Sequence, residues 1–174
     1  GIAVLGPLSI DGQSLAPRDR VVLAALTVRR GEVVDAAVLA DALWREQPPA
    51  TWSKQIQACV VRLRRALGPG SIETTAGGHR TTSPRPRDER LVARAREVDA
   101  LGAQERSTHL FGEALALWRG PALADLDGWA PGRIEAARLD ELRLEVEEAR
   151  LGAGMRAGCQ RDLLAEAHMR VAEQ

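Results

Sequence analysis

The chain has 174 residues, 45% of them hydrophobic, with 24 basic and 24 acidic side chains and no net charge. Its apolar share predicts real cores, one large or two small, and its neutrality at face value argues against nucleic acid as a partner. That neutrality conceals a split: residues 1–87 carry 12 Arg/Lys against 7 Asp/Glu, a balance of +5, and residues 88–174 carry 12 against 17, a balance of −5. A basic half followed by an acidic half points to two functions on one chain.

Of the basic residues only Lys54 is lysine, and alanine is abundant, a pattern of GC-rich coding, so arginine richness alone does not signal DNA. Cys59 and Cys159 lie in different halves without metal-ligand spacing, and neither a metal nor a cofactor is expected. No apolar run approaches the roughly 18 residues of a membrane span, and no membrane partner is expected. A reducing, cytoplasmic location fits best, at the nucleoid if DNA is the partner.

Residues 2–15, IAVLGPLSIDGQSL, alternate short apolar runs with the turn signals Gly6-Pro7 and Asp11-Gly12, which predicts a small antiparallel sheet. Pro17 opens a helix of about a dozen residues with Val22, Leu23, Ala25 and Leu26 turned to a core, and Gly31 ends it. Asp35 caps a second helix over 36–44 with Val38, Leu39, Ala42 and Leu43 inward. REQPPA at 45–50 is a loop stiffened by two prolines.

The next stretch, TWSKQIQACVVRLRRAL at 51–67, organises the first half. At about 100° per residue, Ile56, Cys59, Val60, Leu63 and Leu67 share one helical face. Lys54, Gln57, Ala58, Val61, Arg62 and Arg65 take the other. Gly68-Pro69-Gly70 stops the helix. Two Thr-rich runs, 72–75 and 80–82, flank Ala76-Gly77-Gly78-His79 and predict a hairpin around a Gly-Gly turn. A sheet, three helices and a hairpin make a winged helix-turn-helix. Alone, the basic helix reads equally well as a solvated face; its neighbours make it a candidate DNA reader.

SPRPRD at 83–88 is a linker, dividing a winged-helix domain over 1–82 from a helical domain over 89–174. Helices are predicted over 89–101, with Leu91, Ala95 and Val98 in a stripe, and over 104–118, with Leu110, Phe111, Ala114, Leu117 and Trp118. An irregular connection holding Trp129 follows. The helix from 134 to 155 is apolar on two sides, Leu139, Leu142, Val146 and Ala149 against Ala137, Leu144, Leu151 and Met155. Such a helix is sandwiched between layers, as in helical-repeat stacks. A further helix carries Leu163, Leu164, Ala167 and Val171. Stacks need later units to cover their last face, so the chain is expected to be a piece of a longer one.

GIAVLGPLSIDG, ALWREQPPA, QIQACVVRLRRALG, the Gly-Gly-His-Arg wing and ALALWRGPALADL resemble the Streptomyces antibiotic regulatory protein family and its larger relatives. The resemblance runs over 1–80 and resumes over 88–174; LWRGPALADL is its most specific string. It implies a mainly α fold with small β, an OmpR-type winged helix followed by a tetratricopeptide-like bacterial transcriptional activator domain. It also implies binding to direct repeats upstream of biosynthetic genes by two protomers, and recruitment of RNA polymerase. Two departures stand out. The family usually has Tyr where this chain has His79, and a longer connection where this chain has SPRPRDERL, which is shortened or interrupted here.

Lys54 and Gln57 are the candidates for base edges, Gln for adenine, with Ala58 or Val61 against a thymine methyl. Arg62 and Arg65 are candidate phosphate clamps, and Arg80 on the wing a minor-groove or phosphate contact. Arg64 lies at the boundary of the faces, where pairing within the domain is the alternative. By resemblance, Arg45, Glu46 and Gln47 face the polymerase; a stiff connector reads as well. Trp44, Trp52, Trp118 and Trp129 are expected as core or domain-interface anchors. His79, His109 and His168 are scattered, and phosphate-loop, dinucleotide and nucleophile-elbow motifs are missing, so no enzyme is expected. The alternative to a DNA-binding activator is a helical interaction module whose basic helix docks on an acidic partner.

Overall fold

Three two-residue strands, β1 (Ile2–Ala3), β2 (Ser9–Ile10) and β3 (Gln13–Ser14), pair antiparallel in the order β1-β2-β3. Ile10 faces Gln13 across a two-residue turn whose first member, Asp11, has φ 49°, as hairpin turns that match strand twist require. The structure is a computed structural model that describes residues 2–3, 5, 8–11, 13–82 and 87–158. Residues 1, 4, 6–7, 12, 83–86 and 159–174, which hold the predicted Gly6-Pro7 turn, most of the linker and the predicted last helix, lie outside the described residues.

Pro17 sits in the first turn of α1 (Pro17–Val28), where a missing N–H costs nothing. Val22, Leu23, Ala25 and Leu26 are all buried, and Gly31 beyond the helix has φ 82°. Asp35 caps α2 (Ala36–Trp44), its Oδ1 accepting the Ala37 N–H at 2.7 Å. Leu39 and Ala40 are the buried residues of α2; Val38, Ala42 and Leu43 are half-buried rather than fully inward. The third helix, α3 (Trp52–Leu67), buries Ile56, Cys59, Val60 and Leu63, and Gly68 at φ 98° stops it.

The wing consists of β4 (Ile72–Thr75) and β5 (Gly78–Thr81), so its turn is Ala76-Gly77 and not the expected Gly77-Gly78. The second glycine is a strand residue because another backbone crosses it. Val34 exchanges both main-chain hydrogen bonds with His79, at 2.7 and 2.8 Å. A Cβ on Gly78 would stand 2.1 Å from the Val34 carbonyl oxygen. His79 stands where the resemblance expects tyrosine, its ring buried and its Nδ1 2.9 Å from the Thr74 hydroxyl.

The compact units are not consecutive in sequence. Gly1–Pro86 groups with Arg119–Asp140, and Arg87–Trp118 with Glu141–Gln174. In the first unit, the Arg119 N–H donates to the Leu5 carbonyl at 2.9 Å, Arg20 pairs with Asp125 at 3.0 Å, and the Trp129 indole N–H donates to Asp41 at 3.1 Å. A 3-10 turn (Ala124–Leu126) buries Leu126, against which Gly132 packs without room for a Cβ.

In the second unit, α4 (Arg87–Ala100) and α5 (Gln104–Leu115) form the expected hairpin around Gly102 at φ 79°. Val92, Ala95, Val98, Phe111 and Ala114 are buried, and the buried Ser107 hydroxyl donates to Asp99 at 3.0 Å. The long helix α6 (Ala130–Ala157) starts earlier than its apolar pattern indicates. Within this unit it ties down through Arg96–Glu145 and Arg156–Asp99, each at 2.8 Å. Val146 and Ala153 are buried, whereas Leu144, Leu151 and Met155 are 61%, 54% and 63% exposed, so the second apolar face is not sandwiched among the described residues.

Candidate nucleic-acid interface

The outward face of α3 has no acidic residue along its length, and Lys54, Gln57, Ala58, Val61, Arg62 and Arg65 are all exposed on it. Val61, at 44% exposure, is an apolar group held out to water on the same face. What makes this a rigid surface is how the helix is fixed on its other sides. Ile56, Val60 and Leu63 anchor it from beneath.

On one flank, Arg62 forks onto Asp19 of α1: Nε donates to Oδ2 at 2.8 Å and Nη2 to Oδ1 at 2.7 Å, with Cys59 Sγ 3.3 Å from Nη2. Burial alone would raise the Asp19 carboxyl, but hydrogen bonds from Arg62 and Cys59 and the Arg62 charge outweigh it, and the carboxyl ends below its ordinary range. The same burial and the neighbouring carboxylate push the Cys59 thiol up to about 11, as an inert core thiol should be. On the other flank, Arg64 donates Nε to the Ile72 carbonyl at 2.8 Å and Nη2 to the Thr74 hydroxyl at 2.6 Å, tying the helix to the wing. Burial first, and the Arg64 charge second, lower the His79 pKa.

The predicted contact residues therefore fall into two groups. Lys54 and Arg65 have no ion-pair partner among the described residues, and Gln57, Ala58 and Val61 stand beside them. Arg62 and Arg80 are spoken for, the first by Asp19 and the second by Glu73, its cross-strand neighbour. In the loop after α2, Arg45 has φ 54°, and its guanidinium lies over Gly128, where a Cβ would meet Nη2 at 1.8 Å. Glu46 and Gln47 are exposed.

The partner of Arg62 was missed in the sequence although a signal existed. Asp19 stands at the head of the Asp19, Val22, Leu23, Leu26 stripe, so helical spacing alone puts its carboxylate on the core side of α1. A buried acid needs a cation, and α3 supplies one.

A winged helix-turn-helix with an acid-free recognition helix, on a chain that continues into a helical module, defines a transcription-regulator architecture. Comparison with known proteins agrees. Residues 12–78 match the family described as transcriptional regulatory protein, C terminal, and residues 86–174 match the bacterial transcriptional activator domain. The regulatory protein AfsR of Streptomyces coelicolor is 33% identical over 174 residues, covering 94% of this chain and 17% of AfsR. The regulatory protein DnrI of Streptomyces peucetius is 33% identical over 186 residues, covering 95% of this chain and 68% of DnrI. A solved structure of Mycobacterium tuberculosis EmbR, in complex with a low affinity phosphopeptide, superposes with a TM-score of 0.78 at 29% identity. That match covers 99% of this chain and 50% of EmbR. The chain belongs to the Streptomyces antibiotic regulatory protein family. It spans about a sixth of the AfsR relatives, 17% and 18% of their lengths.

Proposed function

We propose that this chain binds double-stranded DNA in a sequence-specific way and activates transcription, in the cytoplasm at the nucleoid. The observation that carries the reading is the outward face of α3, acid-free, presenting Lys54, Gln57, Ala58, Val61 and Arg65 from a helix clamped to α1 on one flank and the wing on the other. In a major groove, Gln57 and Lys54 read base edges, Val61 or Ala58 meets a thymine methyl, and Arg65 holds a phosphate. Arg62 acts first as the strut to Asp19, with its remaining donors free for a phosphate; Arg80 does the same from the wing once its Glu73 partner shares it. Family membership supports direct-repeat operators bound by two protomers and contact with RNA polymerase. For the polymerase we assign Glu46 and Gln47, with Arg45 holding the loop in shape over Gly128.

Titration of the chain against a spaced direct-repeat duplex and a scrambled duplex tests the binding claim. Preference for the repeat that falls on Gln57→Ala supports it; equal affinity for both duplexes refutes specific recognition. Competition by polyglutamate as efficient as by duplex would favour docking on an acidic protein. In vitro transcription with Glu46→Ala and Gln47→Ala tests the activator claim, which predicts retained binding and reduced output.

A further inference from the structure

We infer that Arg18, at the head of α1, is a further phosphate-binding residue, gripping the DNA strand on the side of α3 opposite the wing. The inference rests on the DNA-binding reading above and adds to it a contact from an element outside the recognition helix and the wing.

In the first unit Arg20, Arg29, Arg62 and Arg80 each pair with a carboxylate. Among the described residues, Arg18 is exposed and is held by neutral groups alone. Its Nη1 donates to the Gln55 side-chain carbonyl at 2.8 Å, and its guanidinium carbon lies 5.9 Å from the centre of the Trp44 ring. Gln55 is fixed in turn, its Nε2 donating to the Thr51 hydroxyl at 3.0 Å. Three helices thus hold one guanidinium in place without taking its charge. A pre-set arginine loses little side-chain freedom when it meets a phosphate, and that is the arrangement a backbone contact favours.

Position supports the assignment. Gln55 and Arg62 are seven residues apart, two helical turns, so both look toward α1, while Arg64 looks toward the wing. A recognition helix in a major groove about 12 Å wide runs between two phosphate backbones. The wing flanks one of them. Arg18 stands on the other flank, beside the N-terminal half of α3, where Lys54 and Gln57 lie.

The test uses the 174-residue chain and a labelled mixed-sequence duplex, since a phosphate contact does not depend on sequence. Each phosphate contact adds about 0.9 to the slope of log affinity against log salt. Between about 50 and 200 mM salt, wild type should therefore lose about 3.5-fold more affinity than Arg18→Ala. Arg18→Lys, which keeps a point charge, should keep the wild-type slope, and Arg29→Ala, which removes an arginine paired with Glu32, should also leave it unchanged. A wild-type slope in Arg18→Ala overturns the inference, even if affinity falls, because Arg18 would then serve only to position Gln55. A lowered slope in Arg18→Lys, which retains the charge, overturns it as well. Absence of salt-dependent duplex binding by wild type would instead remove the DNA-binding reading itself, and this inference with it.

Discussion

Replacing Asp19 with Ala probes the strut that orients α3. The carboxylate is 6% exposed and the Arg62 side chain 50% exposed, so the pair is neither a surface bridge nor a sealed one. Exposed pairs contribute about 0–1 kcal/mol, and breaking a sealed pair costs about 3–5 kcal/mol. Arg62 can swing into water when its partner is removed, which sets the expected loss near the middle, about 2 kcal/mol. Urea unfolding reads this as a lower midpoint at unchanged slope. A double-mutant cycle with Arg62→Ala should give a coupling of about 1–2 kcal/mol, and a coupling below about 0.3 kcal/mol would refute the strut. The pH dependence follows with a definite sign. Because the folded carboxyl lies below its ordinary value of 3.8, the pair's contribution is complete above that value and is lost as pH falls through the lower folded value. Asp19→Ala should therefore unfold less steeply in acid than wild type does, relative to each protein's stability at neutral pH.

Gly78→Ala should cost about 3 kcal/mol or more in thermal or urea unfolding, because the new Cβ collides with the Val34 carbonyl, whereas Gly77→Ala meets only ordinary contact with Val33 and should be near neutral. Arg64→Ala removes two hydrogen bonds to the wing and should raise amide exchange across Ile72–Thr75 by about tenfold, equivalent to about 1.5 kcal/mol, with little change in the α1 core. His79 should stay neutral to lower pH than a free histidine; since its folded pKa is depressed, the stability tied to it is present above about pH 6.5 and declines as pH falls below that, which NMR titration of the ring and Tm against pH can check together. In a Cys159→Ser background, alkylation of Cys59 should track unfolding and not the titration of an accessible thiol.

Local signals carried most of the first half. Pro17, Asp35, Gly31 and Gly68 each act within a turn of chain, so the bounds of α1, α2 and α3 follow from backbone geometry and capping that neighbours need not supply. The buried stripe of α3 was legible for the same reason, since helical periodicity is a property of one segment. Contacts between segments far apart in the chain were not legible. Gly78 had to be a strand residue because Val34, far earlier in the chain, crosses it. Arg62 reads from sequence as one more outward cation; only the packing of α1 against α3 brings Asp19 to its fork. Residues 119–140 group with the winged helix through Trp129, Asp125 and Arg119, contacts that no composition shift marks. The sequence by itself determined that a basic, acid-free helix with an apolar underside would form between a capped helix and a hairpin. Tertiary structure decided which of its charges remain available, because a cation's usefulness to a phosphate depends on whether a carboxylate from elsewhere in the fold has already reached it.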